Sequence, residues 1–161
     1  MKNLRKLLTT PLQPQRIPKW IPIALLVLAL IGFADATYLT IEHYKNEIPP
    51  CTIGGCESVL TSQYAQIFGI PVSLIGSLNY LVFVVLLMLY LDTKKEIFLR
   101  IPALLSVFGA LASLAFMYIM VFAIKAFCQY CVVSAVISLS IFSVSLWLVL
   151  RSQNLLQSTQ E

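Results

Sequence analysis

Four cysteines in two close-spaced pairs are the residues here most able to do chemistry. Cys51 and Cys56 lie in a polar, Gly- and Pro-containing loop between two apolar runs, and Cys128 and Cys131 form a C-x-x-C at the start of another apolar run. Thiolate is the attacking species in disulfide exchange, and a helix N-terminus stabilises it through unpaired N–H groups and the helix dipole. Cys128-Gln129-Tyr130-Cys131 occupies such an end. At a rise of about 1.5 Å per residue, Cys131 should lie about 4.5 Å deeper than Cys128. Cys128 is therefore expected to face the aqueous boundary, and Cys131 a lipid-side acceptor. In Cys51-Thr52-Ile53-Gly54-Gly55-Cys56, the two glycines let the backbone fold tightly, so the sulfurs can meet or part. A loop pair suits exchange with a water-soluble partner, and a pair at the mouth of a membrane helix suits transfer to something dissolved in lipid. The pattern points to a thiol–disulfide relay. On residue pattern alone, two other readings stand beside it: a structural disulfide, within the loop or from loop to helix, and a four-thiolate zinc site. Structural zinc usually joins two close-spaced knuckles in a compact polar fold. Here one pair begins an apolar segment, and no metal is expected.

The elements that must position these sulfurs are legible in the hydropathy. Of 161 residues, 59% are hydrophobic and 11% charged, with a mean hydropathy of +0.87. A soluble domain carries about 25% charged residues. Roughly 20 apolar residues cross a bilayer as a helix, and four stretches are long enough: residues 21–41, 71–91, 101–124 and 127–150. The class is all-α integral membrane, with four spans in one membrane domain over 21–150. Residues 1–20 form a basic tail, 42–70 an outer loop that holds the first cysteine pair, and 151–161 a second tail. Within the loop, Leu60, Tyr64, Ile67 and Phe68 recur at helical spacing and predict a short half-buried helix over 57–68. Gly69-Ile70-Pro71 then breaks the chain, with Pro71 in the first turn of the next helix.

The net charge of +4 comes from basic residues that flank apolar segments rather than forming a patch, which argues against nucleic acid as a partner. Lys2, Arg5, Lys6, Arg16, Lys19, Lys94, Lys95, Arg100 and Arg151 fall on one side of the four spans, and only Lys45 and Lys125 on the other. The positive-inside rule then makes both tails cytoplasmic. Both cysteine pairs face outward, where disulfides persist. The basic start, the apolar run and Ala34-Asp35-Ala36 resemble a cleaved signal peptide. The length of the leader and the apolar continuation through Ile41 favour a retained span, and either outcome leaves the cysteines on the same side.

Read in order, Cys51-x4-Cys56, Ser58-Val59-Leu60-Thr61-Ser62-Gln63-Tyr64, Phe68-Gly69-Ile70-Pro71-Val72-Ser73-Leu74-Ile75-Gly76 and the late Cys128-x-x-Cys131 resemble the vitamin K epoxide reductase family, its bacterial members most of all. The resemblance covers about residues 20–150. It implies a four-helix transmembrane bundle around a quinone, capped by the first outer loop and its half-helix. It also implies an oxidoreductase that reoxidises a periplasmic thioredoxin-like disulfide-forming protein and reduces ubiquinone or menaquinone at the bacterial plasma membrane. Many members carry a fused thioredoxin-like domain; this sequence ends after the fourth span, so a separate partner is expected. By motif, Cys51 exchanges with the partner, Cys56 hands on to Cys128, and Cys131 meets the quinone. Ser62 matches a family serine near the site, or is an ordinary hydroxyl in a short helix. Members that reduce the epoxide have an asparagine where Val72 stands and a tyrosine where Ala135 stands. Those departures favour a simpler respiratory quinone.

Several residues carry two readings. Asp35 is costly in hydrocarbon unless paired or near water; it is either a proton route or a group at the aqueous rim. His43 is expected in an exposed loop, with proton transfer as the alternative. Glu57, directly after Cys56, disfavours its thiolate or opens the half-helix. Met117, Tyr118 and Met120 are bundle packing, or flexible walls of a quinone pocket. Trp20, Tyr38, Tyr44 and Trp147 read as interface anchors. Two competing functions remain. The other four-helix quinone-linked disulfide oxidase family carries its C-x-x-C in the first outer loop, the reverse of the order here. A non-enzymatic bundle would hold inert structural disulfides and no quinone.

Overall fold

A computed structural model describes residues 18–52, 54–95 and 97–157, with residues 151–157 described by backbone alone. Lys2, Arg5, Lys6, Arg16 and residues 158–161 of the two tails lie outside the described residues, as does the side chain of Arg151. Four long helices form the bundle: α1 (Trp20–Lys45), α3 (Val72–Thr93), α4 (Ile97–Tyr118) and α5 (Gln129–Gln157). Each is long and apolar enough to cross a membrane, α4 together with the π-helical stretch Ile119–Ile124 that continues it. The protein is an all-α, multi-pass membrane bundle.

The helices outrun the apolar runs at several ends. α1 continues four residues past 41, because Glu42–Lys45 can stay helical above the lipid, and it stops where Asn46 turns left-handed at φ 56°. Ala34-Asp35-Ala36 lies in its unbroken interior. α4 begins four residues before 101 and carries Pro102 inside its early turns.

Close approach holds the bundle together. A methyl group at Gly32 of α1 would lie 2.6 Å from the Tyr80 ring of α3, so only glycine lets that ring lie against the helix. Tyr80 in turn donates its hydroxyl to the Ser134 carbonyl of α5 at 2.9 Å, and Thr37 and Ser77 share a 2.9 Å hydroxyl bond between α1 and α3. Interhelical bonds of this kind average about 0.6 kcal/mol in membrane proteins, so shape contributes more than polarity. The interior is built from Ile21, Leu25, Ala29, Phe83, Leu87, Ile137 and Ile141. Outward faces are apolar too: Phe108 is 71% exposed and Leu111 60%. In water that would be an oversized hydrophobic patch; in a bilayer it faces acyl chains.

The outer loop departs from its expected form. The short helix α2 covers only Cys56–Leu60, not 57–68. Thr61 and Ser62 bend their hydroxyls back onto the Glu57 and Val59 carbonyls, at 2.7 Å each, at the point where the helix ends. The chain then forms a small hairpin, β1 (Gln66–Ile67) against β2 (Ile70–Pro71), with Ile67 opposite Ile70. Phe68 and Gly69 both take positive φ, as a two-residue hairpin turn requires.

Candidate functional site

Cys51 and Cys56 are joined by a disulfide, with 6.0 Å between their Cα atoms. Cys128 and Cys131 are free thiols. The bridge removes two of the four sulfurs from any zinc set. Cys56 opens α2 and is fully buried, as is Cys128; the two belong to one cluster with Val59 and Met120, against which Cys51 and Cys131 also pack. All four predicted sulfurs therefore meet in one place.

Backbone geometry seats the loop there. Gly55 has φ +104°, and a Cβ at this position would sit 3.2 Å from the Ala126 Cβ and from Phe127 backbone atoms. The loop thus rests directly on the segment that leads into α5. Gln129 and Tyr130, between the C-x-x-C cysteines, hold it from the other side through bonds to Thr52 and Pro50. Sequence reasoning had no role for these two residues, and their position inside the motif was the available signal.

Cys128 precedes the first residue of α5, and the backbone N–H of Cys131 points at its sulfur from 3.5 Å. The Cys131 thiol hydrogen bond, opposed by burial and aided by backbone N–H groups at the helix start, holds the Cys128 thiol below the ordinary cysteine range. Its exposure is corrected: Cys128 does not face water, because the bridged loop covers it.

Cys131 opens instead onto a cavity of about 180 Å³. α1 contributes Asp35, Leu39 and His43; the loop and the start of α3 contribute Ser62 and Val72; α4 and its π-helical end contribute Met117 and Met120; α5 contributes Ser134 and Ala135. The π-helical stretch ends with Lys125 and Ala126 both donating to the Met120 carbonyl. Ser62 sits just past the end of α2 with its hydroxyl proton committed to Val59, leaving its oxygen free to accept. Asp35 lies ten residues, about 15 Å, below the end of α1. Its Oδ2 is buried with no hydrogen-bond partner among the described residues. His43 belongs to the last turn of α1 rather than to a loop, and it pairs with the Gln66 side chain at 3.2 Å. Tyr38 stacks obliquely on Tyr130 at 5.6 Å, whereas Trp20 and Tyr44 stay exposed.

A loop disulfide over a buried thiol, with a second thiol at an apolar cavity, agrees with a family comparison. The model of the vitamin K epoxide reductase family matches residues 23–146. The chain belongs to that family. A curated relative within reach is a thiol-disulfide oxidoreductase, LTO1, of Arabidopsis thaliana, 33% identical over 124 residues. The match covers 69% of this chain and 32% of that relative, so the chain spans about a third of the relative's length. Val72 and Ala135 stand on the cavity wall as apolar groups.

Proposed function

We propose that this family member is a membrane thiol:quinone oxidoreductase. It reoxidises a thioredoxin-like protein on the extracytoplasmic side of a bacterial plasma membrane, with both termini cytoplasmic. The single observation that carries this reading is the stacking of a bridged pair, Cys51–Cys56, on a reduced pair whose deeper member borders an apolar cavity. The cavity suits a quinone head group: an apolar space of about 150 Å³ accepts a benzene-sized ring, and Asp35 Oδ2 supplies an unpaired polar atom there.

The relay runs by exchange steps that balance. A partner thiolate attacks Cys51, the Cys51–Cys56 bond breaks, and Cys56 leaves as thiolate; the partner's second thiol releases it as a disulfide. Cys56 then attacks Cys128 of an oxidised Cys128–Cys131 pair, and Cys131 leaves. Cys51 displaces Cys128 from Cys56, which restores the loop bridge and leaves Cys128 and Cys131 as thiols. A bound ubiquinone or menaquinone supplies a two-electron, two-proton acceptor. Cys131 delivers the electron pair as Cys128 closes the bond to it, and the two thiol protons leave with the electrons. Asp35 holds one proton at its carboxyl and replaces it from those thiols. Met117 and Met120 shape the cavity and exclude water. Ser62 accepts a hydrogen bond at its rim.

The test uses purified protein, a reduced thioredoxin-like protein and a short-chain ubiquinone, with quinone absorbance as readout. Cysteine-to-serine changes at 51, 56, 128 and 131 should each abolish turnover. Sustained quinone reduction by Cys131→Ser would defeat the assignment.

A further inference from the structure

We propose that Gln129 and Tyr130 form a latch that determines which sulfur of the Cys51–Cys56 bridge an incoming thiol attacks. The Gln129 Oε1 accepts from the Thr52 backbone N–H at 3.2 Å and from the Thr52 hydroxyl at 2.7 Å. Its Nε2 donates to the Pro50 carbonyl at 3.3 Å, and the Tyr130 hydroxyl donates to the same oxygen at 3.0 Å. All four bonds land on the two residues that flank Cys51. Tyr130 is held from behind by its ring contact with Tyr38 of α1. Gly55, next to Cys56, is pressed against Ala126 and Phe127. The loop is therefore fixed at both ends, with Cys51 half-buried and Cys56 at 0% exposure.

A disulfide offers two sulfurs, and access decides between them. Attack at Cys51 joins the incoming sulfur to Cys51 and expels Cys56 as thiolate. That thiolate is already packed with Cys128, the next sulfur in the relay. Attack at Cys56 joins the incoming group to the sulfur that must reach Cys128 and expels Cys51 outward, which blocks the forward step. The residues between the α5 cysteines thus hold the upstream pair in the orientation that makes the reaction run forward. The inference rests on the relay reading for its purpose, but the latch itself is a matter of access.

The experiment uses the full chain in detergent with Cys128→Ser and Cys131→Ser, so that only the loop bridge remains. Glutathione is added, the reaction is quenched in acid, free thiols are blocked, and mass spectrometry assigns glutathione to Cys51 or Cys56. With the latch intact, the adduct should sit almost wholly on Cys51. Losing one net hydrogen bond, as in Tyr130→Phe, should raise the Cys56 share about fivefold. Gln129→Ala removes three bonds and should raise it about 100-fold or to parity. Gln129→Glu keeps both acceptor bonds to Thr52 and should fall between them. An Ala29→Cys reporter in the bundle core should stay closed to maleimide in all variants. An unchanged adduct ratio in Gln129→Ala, a Gln129→Glu no better than Gln129→Ala, or an opened Ala29→Cys reporter would overturn the latch. Failure of the relay reading would appear separately, as no quinone turnover with a reduced partner, because the glutathione ratio needs neither.

Discussion

Gly54 and Gly55 offer a matched pair for testing how the loop docks. Both have positive φ, +73° and +104°, so alanine at either strains the backbone by about 1–2 kcal/mol. Their surroundings differ. A Cβ at Gly54 meets nothing within 4 Å, whereas one at Gly55 meets Ala126 and Phe127 atoms at 3.2 Å. Overpacking of that kind adds about 1–3 kcal/mol. Gly54→Ala should therefore weaken docking about 5- to 30-fold, and Gly55→Ala about 30- to 1000-fold or more. The assay uses Cys51→Ser/Cys131→Ser protein, in which Cys56 and Cys128 can bond to each other. Equilibrating that disulfide against glutathione gives the effective concentration of one thiol at the other. Equal losses for the two alanines would mean that the contact with Ala126 and Phe127 does not seat the loop, and the stacking argument would fall.

The Cys128 thiolate should appear, by ultraviolet absorbance of the reduced protein, with a midpoint below that of an ordinary cysteine, because the Cys131 thiol donates to it. Thiolate-dependent exchange by Cys128 should rise as pH passes upward through that lowered midpoint, and Cys131→Ser, by altering the donor, should move it. Asp35→Asn should slow quinone reduction about 100-fold or more, in the range of a lost proton donor, while partner exchange at Cys51 is retained; the infrared carboxyl band assigned to Asp35 should vanish with it. Vitamin K epoxide should not be turned over, because Val72 and Ala135 give its head group no hydrogen bonds; steady epoxide consumption would contradict this.

The four spans were legible because long uncharged runs are a strong local signal, and the close spacing of each cysteine pair singled out the residues that cluster in the structure. The half-helix was overextended for a physical reason. Leu60, Tyr64, Ile67 and Phe68 fall at helical spacing, yet Phe68 is fully exposed at a hairpin tip, and the hydroxyls of Thr61 and Ser62 compete for the carbonyls at the helix end. Distance along the chain could not reveal that Thr52 and Gln129, 77 residues apart, would bond. Nor could helix rise alone predict Cys128's burial, since its cover comes from a different segment.

The π-helical end of α4 sets a limit on how this region can change in length. A π turn holds one residue more than an α turn, and here the surplus is taken up within Ile119–Ile124, just before Ala126 and Phe127. Deleting one residue from that stretch would leave two intact spans and turn the π turn into an α turn that ends at nearly the same angular position, because the residue removed is the surplus the π turn absorbs. The surface on which Gly55 rests would keep its direction, and the two cysteine pairs would keep their register. A deletion in the α-helical turns of 97–118 would instead rotate everything after it by about 100°. Chains of this loop geometry should therefore tolerate a one-residue deletion within 119–124 far better than one within 97–118.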